Sequence, residues 1–210
     1  MLPRLYVVCD ADVCARAGWT VTDFAAACLD GGASLIQLRN KHAGSRVLLA
    51  DAQSVVRRAG SLARIIVNDR ADIARLAGAA GVHVGQDDLG PEDVRLVTGP
   101  EMMLGLSTHT AEQLEAAIRR PIDYVAVGPV FGTATKDTGY EAVGLAMVRE
   151  AAAVAAPSGR PVVAIGGITI DSAPHVIAAG AASVAVITDL LVGGDPSARV
   201  QAFVDRLSRV

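Results

Sequence analysis

The sequence predicts an α/β fold, a (β/α)8 (TIM) barrel forming a single domain over residues 1–210, on three observations. Eight short apolar runs recur along the 210 residues. Ala- and Leu-rich stretches with helical spacing lie between them. No low-complexity segment divides the chain, so no domain boundary is placed. Alternation of strands and helices means βαβ crossovers. Eight units in this length come to about 26 residues each, which suits a lean barrel with short loops. A doubly wound sheet fits less well, because the first run is followed by CDADVCARAG, with no G-x-G-x-x-G fingerprint.

The eight runs are Leu5–Cys9, Leu35–Leu38, Ile65–Asn68, Val82–Val84, Met102–Leu106, Tyr124–Val127, Val162–Ile165 and Ser183–Ile187. Several are β-branched and continuously apolar, as in strands covered on both faces. Val47, Leu48, Ala52, Val55, Val56 and Ala59 make one helical stripe, and Leu114, Ala117 and Ile118 begin another. Asp72, Pro91, Thr110 and Asp171 signal helix starts.

Composition narrows the function class. A count of 19 basic against 22 acidic side chains gives a net charge of −3. With 51% hydrophobic residues and 20% charged ones, the chain has material for a large core and none of the signature of disorder. The slight acidity leaves no electrostatic footprint for nucleic acid or an anionic membrane, and 3% aromatics are too few for base stacking. Cys9, Cys14 and Cys28 cannot all pair and form no C-x-x-C, which argues for a reducing compartment and against a zinc site. The apolar start of MLPRLYVVCD is too short for a signal peptide and stops at Asp10. The longest uncharged stretch, Ser172 to Thr188, contains Pro174, His175 and Gly180 and is no membrane span. A soluble, cytoplasmic protein is the expectation.

In such a barrel, chemistry sits at the C-terminal ends of the strands. The second strand ends in Gln37-Leu38-Arg39-Asn40-Lys41. Strand periodicity puts Gln37, Arg39 and, if the chain stays extended, Lys41 on one face, with Leu38 packing against helices. Two cations on an inward face call for an anionic ligand or partner carboxylates; a basic strand end facing solvent is the plainer alternative. Asn68-Asp69-Arg70 follows the third strand and Gly85-Gln86-Asp87-Asp88 the fourth. Carboxylates at the ends of adjacent strands can share one cation. Two carboxylates with positions left for phosphate oxygens suit Mg²⁺. The alternative is that Asp69 caps a helix and Asp87 and Asp88 form a turn. Ser107, at the end of the fifth strand, can donate to a phosphate; His109, between that serine and a helix cap, reads as structural.

The run from Gly128 to Gly139 is a long hydroxyl-rich loop carrying Thr133, Thr135 and Lys136. It reads as a mobile lid or anion clamp, or as an ordinary exposed loop. The chain has 17 arginines but two lysines, Lys41 and Lys136, and both fall in these motifs. A compact ammonium on a flexible stem reaches a single phosphate oxygen in a way a planar fork does not. Gly166 and Gly167 end the seventh strand, and Ile187-Thr188 the eighth. Loops at these places often hold a phosphate on backbone N–H groups; tight turn geometry is the other explanation of the glycines.

Taken together, QLRNK, NDR followed by VGQDD, GLSTHT, GPVFGTATK and AIGGIT resemble, in order and spacing over nearly the whole chain, the thiamine phosphate synthase family. That family is a (β/α)8 barrel. It joins 4-amino-5-hydroxymethyl-2-methylpyrimidine diphosphate to a carboxylated thiazole phosphate, releasing thiamine phosphate, pyrophosphate and CO₂. The resemblance implies that Gln37, Leu38, Arg39, Asn40, Lys41 and Asn68 contact the pyrimidine diphosphate, with Ser107 and Lys136 on its phosphates. Arg39, Lys41, Ser107 and Lys136 would be the catalytic residues. Asp69 and Asp88 would hold Mg²⁺. Thr133, Ala134, Thr135, Gly167, Ile187 and Thr188 would bind the thiazole phosphate. Gly132 stands where the family commonly has proline, and Thr188 where it commonly has serine. The absence of an acid–base pair or an activated nucleophile agrees with a reaction in which the pyrimidine forms a methylene cation and the diphosphate leaves first. The implied partners are small phosphorylated molecules, with no nucleic acid and no membrane, and a homo-oligomer is compatible. Two other readings are weighed. A thiazole tautomerase of the same fold family lacks the metal carboxylates and carries histidine where this chain has Pro129. A noncatalytic barrel sensing a phosphorylated metabolite would have no need of Asp69, Asp88 and both lysines.

Overall fold

Eight parallel strands pair in sequence order and close on themselves. The computed structural model describes residues 2–132 and 141–210. β1 (Leu5–Asp10) is followed by α1 (Ala11–Arg16) and α2 (Val21–Asp30), β2 (Leu35–Arg39) by α3 (Ser45–Ala59), and β3 (Arg64–Asn68) by α4 (Ala71–Ala77). β4 (Gly81–Val84) leads to α5 (Pro91–Thr98), β5 (Met103–Thr108) to α6 (Ala111–Ala117), and β6 (Tyr124–Val127) to α7 (Gly144–Ala155). β7 (Val162–Ile165) precedes α8 (Ala173–Ala178), and β8 (Ser183–Val186) precedes α9 (Pro196–Leu207). Val7 on β1 pairs with Ile36 on β2 and with Val186 on β8, which closes the ring. The expected barrel is therefore the observed one.

Alternation along each strand divides the apolar residues into two cores. Ile36, Leu38, Val67, Val82, Leu104 and Val125 face outward and pack under the helices. Tyr6, Val8, Leu35, Ile66, Tyr124, Val163 and Ala185 fill the barrel itself. Filling is uneven by design of the sequence. A Cβ on Gly105 would lie 2.0 Å from Tyr124 Cζ and 2.5 Å from His83 Nδ1. The missing side chain on β5 is thus what lets the ring of His83, on β4, stack on that of Tyr124, on β6, with centroids 5.5 Å apart.

Strand and helix limits differ from the sequence reading in places with physical causes. β5 runs on through Ser107 and Thr108, because both keep register with Ala126 and Val127 and the Thr108 hydroxyl donates to the Ala126 carbonyl at 3.0 Å. Asp72 marks the start of α4 as a first-turn acid and not as its cap: Arg70 holds the cap position, and the Asp72 carboxylate is paired with the Arg70 guanidinium. Asp171 likewise lies one residue before the Ser172 cap of α8. Pro91 and Thr110 open their helices as expected, the Thr110 hydroxyl accepting from the Gln113 N–H. All three cysteines are free and buried; burial pushes the Cys14 thiol up to about 12 and the Cys9 thiol upward as well, so both are poor nucleophiles. No helix among the described residues is long and apolar enough to cross a membrane.

Candidate active site

The C-terminal ends of β1 to β4 carry five charged groups: Asp10, Arg39, Lys41, Asp69 and Asp88. Arg39 closes β2 and pairs with Asp10, which closes β1 directly opposite in register. Asp10 is buried and also caps α1, accepting from the Val13 N–H at 3.1 Å. One carboxylate therefore fixes both the strand-to-helix turn and the direction of the guanidinium. β2 stops at Arg39, so the extended path assumed for Lys41 is not taken. Asn40 ends it: its side-chain oxygen accepts from the His42 and Ala43 N–H groups and turns the chain. Lys41 nevertheless reaches the mouth, with Nζ 3.1 Å from Asp69 Oδ2.

Asp69 follows β3 with φ of 62°, the one non-glycine residue at positive φ among those described. Its N–H donates to the His83 carbonyl at 2.8 Å, so the strand ladder extends one step beyond Asn68. Asparagine and aspartate tolerate this left-handed geometry better than other side chains. Asp88, beyond β4, is fixed by the Gly85 N–H at 2.7 Å. Burial pushes the Asp69 carboxyl above its ordinary range; Asp88 alongside pushes the same way, and Lys41 opposes them. Two carboxylates held this close, with an ammonium beside them, form a cation-seeking pair. The donor set fits Mg²⁺, which takes one or two carboxylates and fills its remaining positions with water and phosphate oxygens. Among the described residues no group of three or more His, Cys, Asp or Glu could hold a metal ion. The helix-cap and turn explanation for these residues is thus only half right. Asp88 does brace its turn, whereas Asp69 caps no helix.

Ser107 stands at the end of β5, its hydroxyl 2.8 Å from His83 Nε2. Gln37 donates from its amide to the Tyr6 hydroxyl at 2.9 Å. Leu38 packs its side chain in the outer core under the helices, as strand phase predicts, so a ligand contact at this position falls to its backbone. Asn40 is likewise engaged in the turn. His109 donates from Nδ1 to the Gly128 carbonyl at 2.6 Å, in keeping with a structural part. Sequence reasoning missed Asp10, Tyr6, His83 and Tyr124.

The opposite side of the mouth is built from backbone. The Val130 and Phe131 N–H groups donate to the Ile165 and Gly166 carbonyls at 2.9 and 3.0 Å. Gly166 and Gly167 have φ of 106° and 63°, and a Cβ on Gly167 would lie 2.6 Å from the Gly132 carbonyl oxygen. The glycine pair is thus required by the segment 129–132 lying against it. Asp189 joins the two last loops: it accepts from the Ile170 N–H at 3.1 Å and pairs with Arg199 of α9 at 2.7 Å. Ile187 and Thr188 begin the turn it holds, a short 3-10 segment over Thr188–Leu191. Thr133, Ala134, Thr135 and Lys136 lie outside the described residues.

Comparison with known proteins places this arrangement. The sequence model of thiamine monophosphate synthase matches residues 5–190. A thiamine-phosphate synthase of Koribacter versatilis is 47% identical over 208 residues, covering 98% of this chain and 96% of the relative. That of Methanoculleus marisnigri is 40% identical over 97% of this chain and 95% of its own. Among solved structures, a thiamine phosphate pyrophosphorylase from Pyrococcus furiosus superposes with a TM-score of 0.85 at 27% identity, covering 98% of this chain and 96% of that one.

Proposed function

The chain belongs to the thiamine monophosphate synthase family, and on that premise we propose that it is a transferase joining 4-amino-5-hydroxymethyl-2-methylpyrimidine diphosphate to carboxythiazole phosphate. The products are thiamine phosphate, pyrophosphate and CO₂. The observation that carries the reading is the set of charges at the ends of neighbouring strands, the cluster of Lys41, Asp69 and Asp88 together with the Arg39–Asp10 pair. Such a cluster is made for a polyanion that arrives with a divalent cation.

The roles follow from charge. Breaking the methylene–oxygen bond leaves the electron pair on pyrophosphate and a cation on the pyrimidine methylene. Arg39 and Lys41 meet the growing negative charge, Arg39 held in direction by Asp10. The Ser107 hydroxyl adds a neutral donor, and Asn68 borders the same ligand. Asp69 and Asp88 would hold Mg²⁺, which when bound supplies further neutralisation of the leaving diphosphate. Lys136 is assigned to the same phosphates by the resemblance. The thiazole phosphate is assigned to Gly167, Ile187 and Thr188 with Thr133, Ala134 and Thr135. Holding it there places the ring nitrogen for attack on the methylene. CO₂ then leaves and a proton takes its place. The test is the purified protein with both substrates and Mg²⁺, followed for pyrophosphate and thiamine phosphate. Formation of both in equal amounts is expected; neither product under these conditions overturns the reading.

A further inference from the structure

Four hydrogen bonds run in series through the barrel lumen. They link the Gln37 amide to the Tyr6 hydroxyl at 2.9 Å, Tyr6 to the Tyr124 hydroxyl at 3.0 Å, Tyr124 to His83 Nδ1 at 2.9 Å, and His83 Nε2 to the Ser107 hydroxyl at 2.8 Å. The series starts on β2, passes β1, β6 and β4, and ends on β5. Tyr6, Tyr124, Gln37 and His83 are all buried. We propose that Tyr6, Tyr124 and His83 form a polarity relay that ties which group Gln37 presents to a ligand to which group Ser107 presents. This rests on the reading that Gln37 and Ser107 meet two parts of one pyrimidine diphosphate.

The argument is a count of protons. Each of the four bonds needs one hydrogen. Burial pushes both phenols well above their ordinary range, so each keeps its single proton. A neutral imidazole has one N–H and one acceptor nitrogen. With the amide N–H₂ of Gln37 donating to Tyr6, every later hydrogen points the same way if each buried phenol is to spend its single proton within the series. Tyr6 donates to Tyr124, Tyr124 donates to Nδ1, and Nε2–H donates to Ser107. Ser107 then has its own proton to give to a ligand, and Gln37 has its carbonyl oxygen to receive one. Turning the amide over reverses the series. The ring shifts to its Nδ1–H tautomer, Ser107 donates inward, Gln37 offers N–H₂ to the ligand and Ser107 offers lone pairs. Any mixed arrangement makes one phenol oxygen accept from both sides and leaves that phenol's own O–H without an acceptor in this series in a buried place, which is disfavoured.

An exocyclic amine at Gln37 and a phosphate oxygen at Ser107 both select the first arrangement. A carbonyl oxygen at Gln37 selects the second and works against the phosphate. His83, Tyr6 and Tyr124 are thus positioning residues that add discrimination between amino- and oxo-pyrimidines, on top of whatever each end contributes alone. By linkage, the aminopyrimidine and pyrophosphate each improve the other's affinity by the same factor, about five-fold if one buried hydrogen bond is at stake.

The experiment uses the whole chain labelled with ¹⁵N-histidine, and the ring nitrogen shifts of His83, identified by their loss in His83→Gln. Unphosphorylated 4-amino-5-hydroxymethyl-2-methylpyrimidine is titrated in, and its binding is measured in parallel by calorimetry. The expected result is a shift of the His83 tautomer ratio toward Nε2–H, about five-fold. The analogue with a carbonyl oxygen in place of the amine shifts it toward Nδ1–H. In Tyr6→Phe the response to the pyrimidine disappears while the response to magnesium pyrophosphate remains. If both pyrimidines bind and leave the same tautomer ratio, the relay is overturned and the site reading stands. If neither pyrimidine nor pyrophosphate binds, the proposed function is overturned and the relay with it. The comparison of amine with carbonyl needs no variant, so a poorly folding Tyr6→Phe does not blunt it.

Discussion

The two sides of the barrel mouth, to each of which the proposed function assigns a phosphorylated molecule, are built from different materials. On the β1–β5 side the binding groups are side chains, each braced by another: Arg39 by Asp10, Asp69 by Lys41, Asp88 by the Gly85 N–H, Ser107 by His83. On the β6–β8 side the material is backbone, shaped by Gly166 and Gly167 and held by Asp189 between Ile170 and Arg199. The difference follows from the charge each side must handle. A leaving diphosphate gains charge as the reaction proceeds, so movable and ionised groups are placed there. On the proposed reading the phosphate that only anchors its molecule keeps its charge, so that side has no developing charge to meet.

Removing the carboxylates breaks this comparison most severely. Asp69→Ala or Asp88→Ala is expected to lower turnover on the order of 10³-fold, and chelation of divalent metal to stop it. Calorimetry with the thiazole phosphate should give an unchanged affinity in the same variants, because among the described residues no hydrogen bond or ion pair joins the two carboxylates to the β6–β8 side. Full activity in excess chelator would remove Mg²⁺ from the account.

Asp10→Asn sharpens it by removing a charge and little else. Asparagine caps a helix as well as aspartate, so α1 keeps its start. Arg39 is left half-buried without its counter-charge, and kcat/KM should fall roughly 10²-fold. An unaltered kcat/KM in a folded protein would mean that Arg39 needs no guide.

A milder effect is expected on the other side. Gly167→Val brings side-chain atoms against Phe131 and Gly132, where a Cβ alone already lies 2.6 Å from the Gly132 carbonyl oxygen. The segment must move, and the KM for the thiazole phosphate should rise on the order of ten-fold. The affinity for pyrimidine diphosphate stays as it was. A change confined to the latter would exchange the two halves.

The smallest effect concerns stability without metal. Burial and Asp88 raise the Asp69 carboxyl, so the folded protein holds that proton more tightly than the unfolded chain does. Its contribution is complete at acid pH, below the ordinary carboxylate value, and is lost as the pH rises through the raised one. Asp69→Asn tolerates the same φ and carries no charge to lose. In chelator above that range it should unfold at a slightly higher temperature than the parent, although it turns over poorly. Toward acid pH the two melting curves should converge. A lower melting temperature across the whole range would contradict the sign.

Most of the barrel could be read in advance because apolar runs and their spacing report strands directly. Strand ends were less accessible, since they depend on partners: Thr108 stays in β5 through a bond to Ala126 that no local pattern reveals. In the site, ionised residues just past a strand stood out, as with Arg39, Asp69 and Asp88. The residues that brace them did not. Tyr6 and His83 sit inside runs that look uniformly apolar, and their inward direction follows only from strand phase. Counting back by twos from Asp10 through Val8 reaches Tyr6, a signal that was present and unused. Asp10 itself read only as the end of an apolar run. Leu38 was legible from phase alone: lying between Gln37 and Arg39, it turns to the opposite face and packs under the helices.

Gly105 bears on how this sequence can drift. A methyl group there collides with the Tyr124 ring and the His83 imidazole at once. Losing the Tyr124 ring first opens a void in the lumen, which is also costly. A lineage moving from glycine with a ring to a larger residue without one therefore meets a poorer intermediate whichever change comes first. Sign epistasis between the two positions is expected: each substitution is harmful alone, and the pair is tolerated only if the His83 ring, 2.5 Å from the methyl position, shifts once its stacking partner is gone. Chains descended from a common ancestor should exchange Gly105 and Tyr124 together or keep both, which makes the pair a marker of lineage as well as a piece of packing.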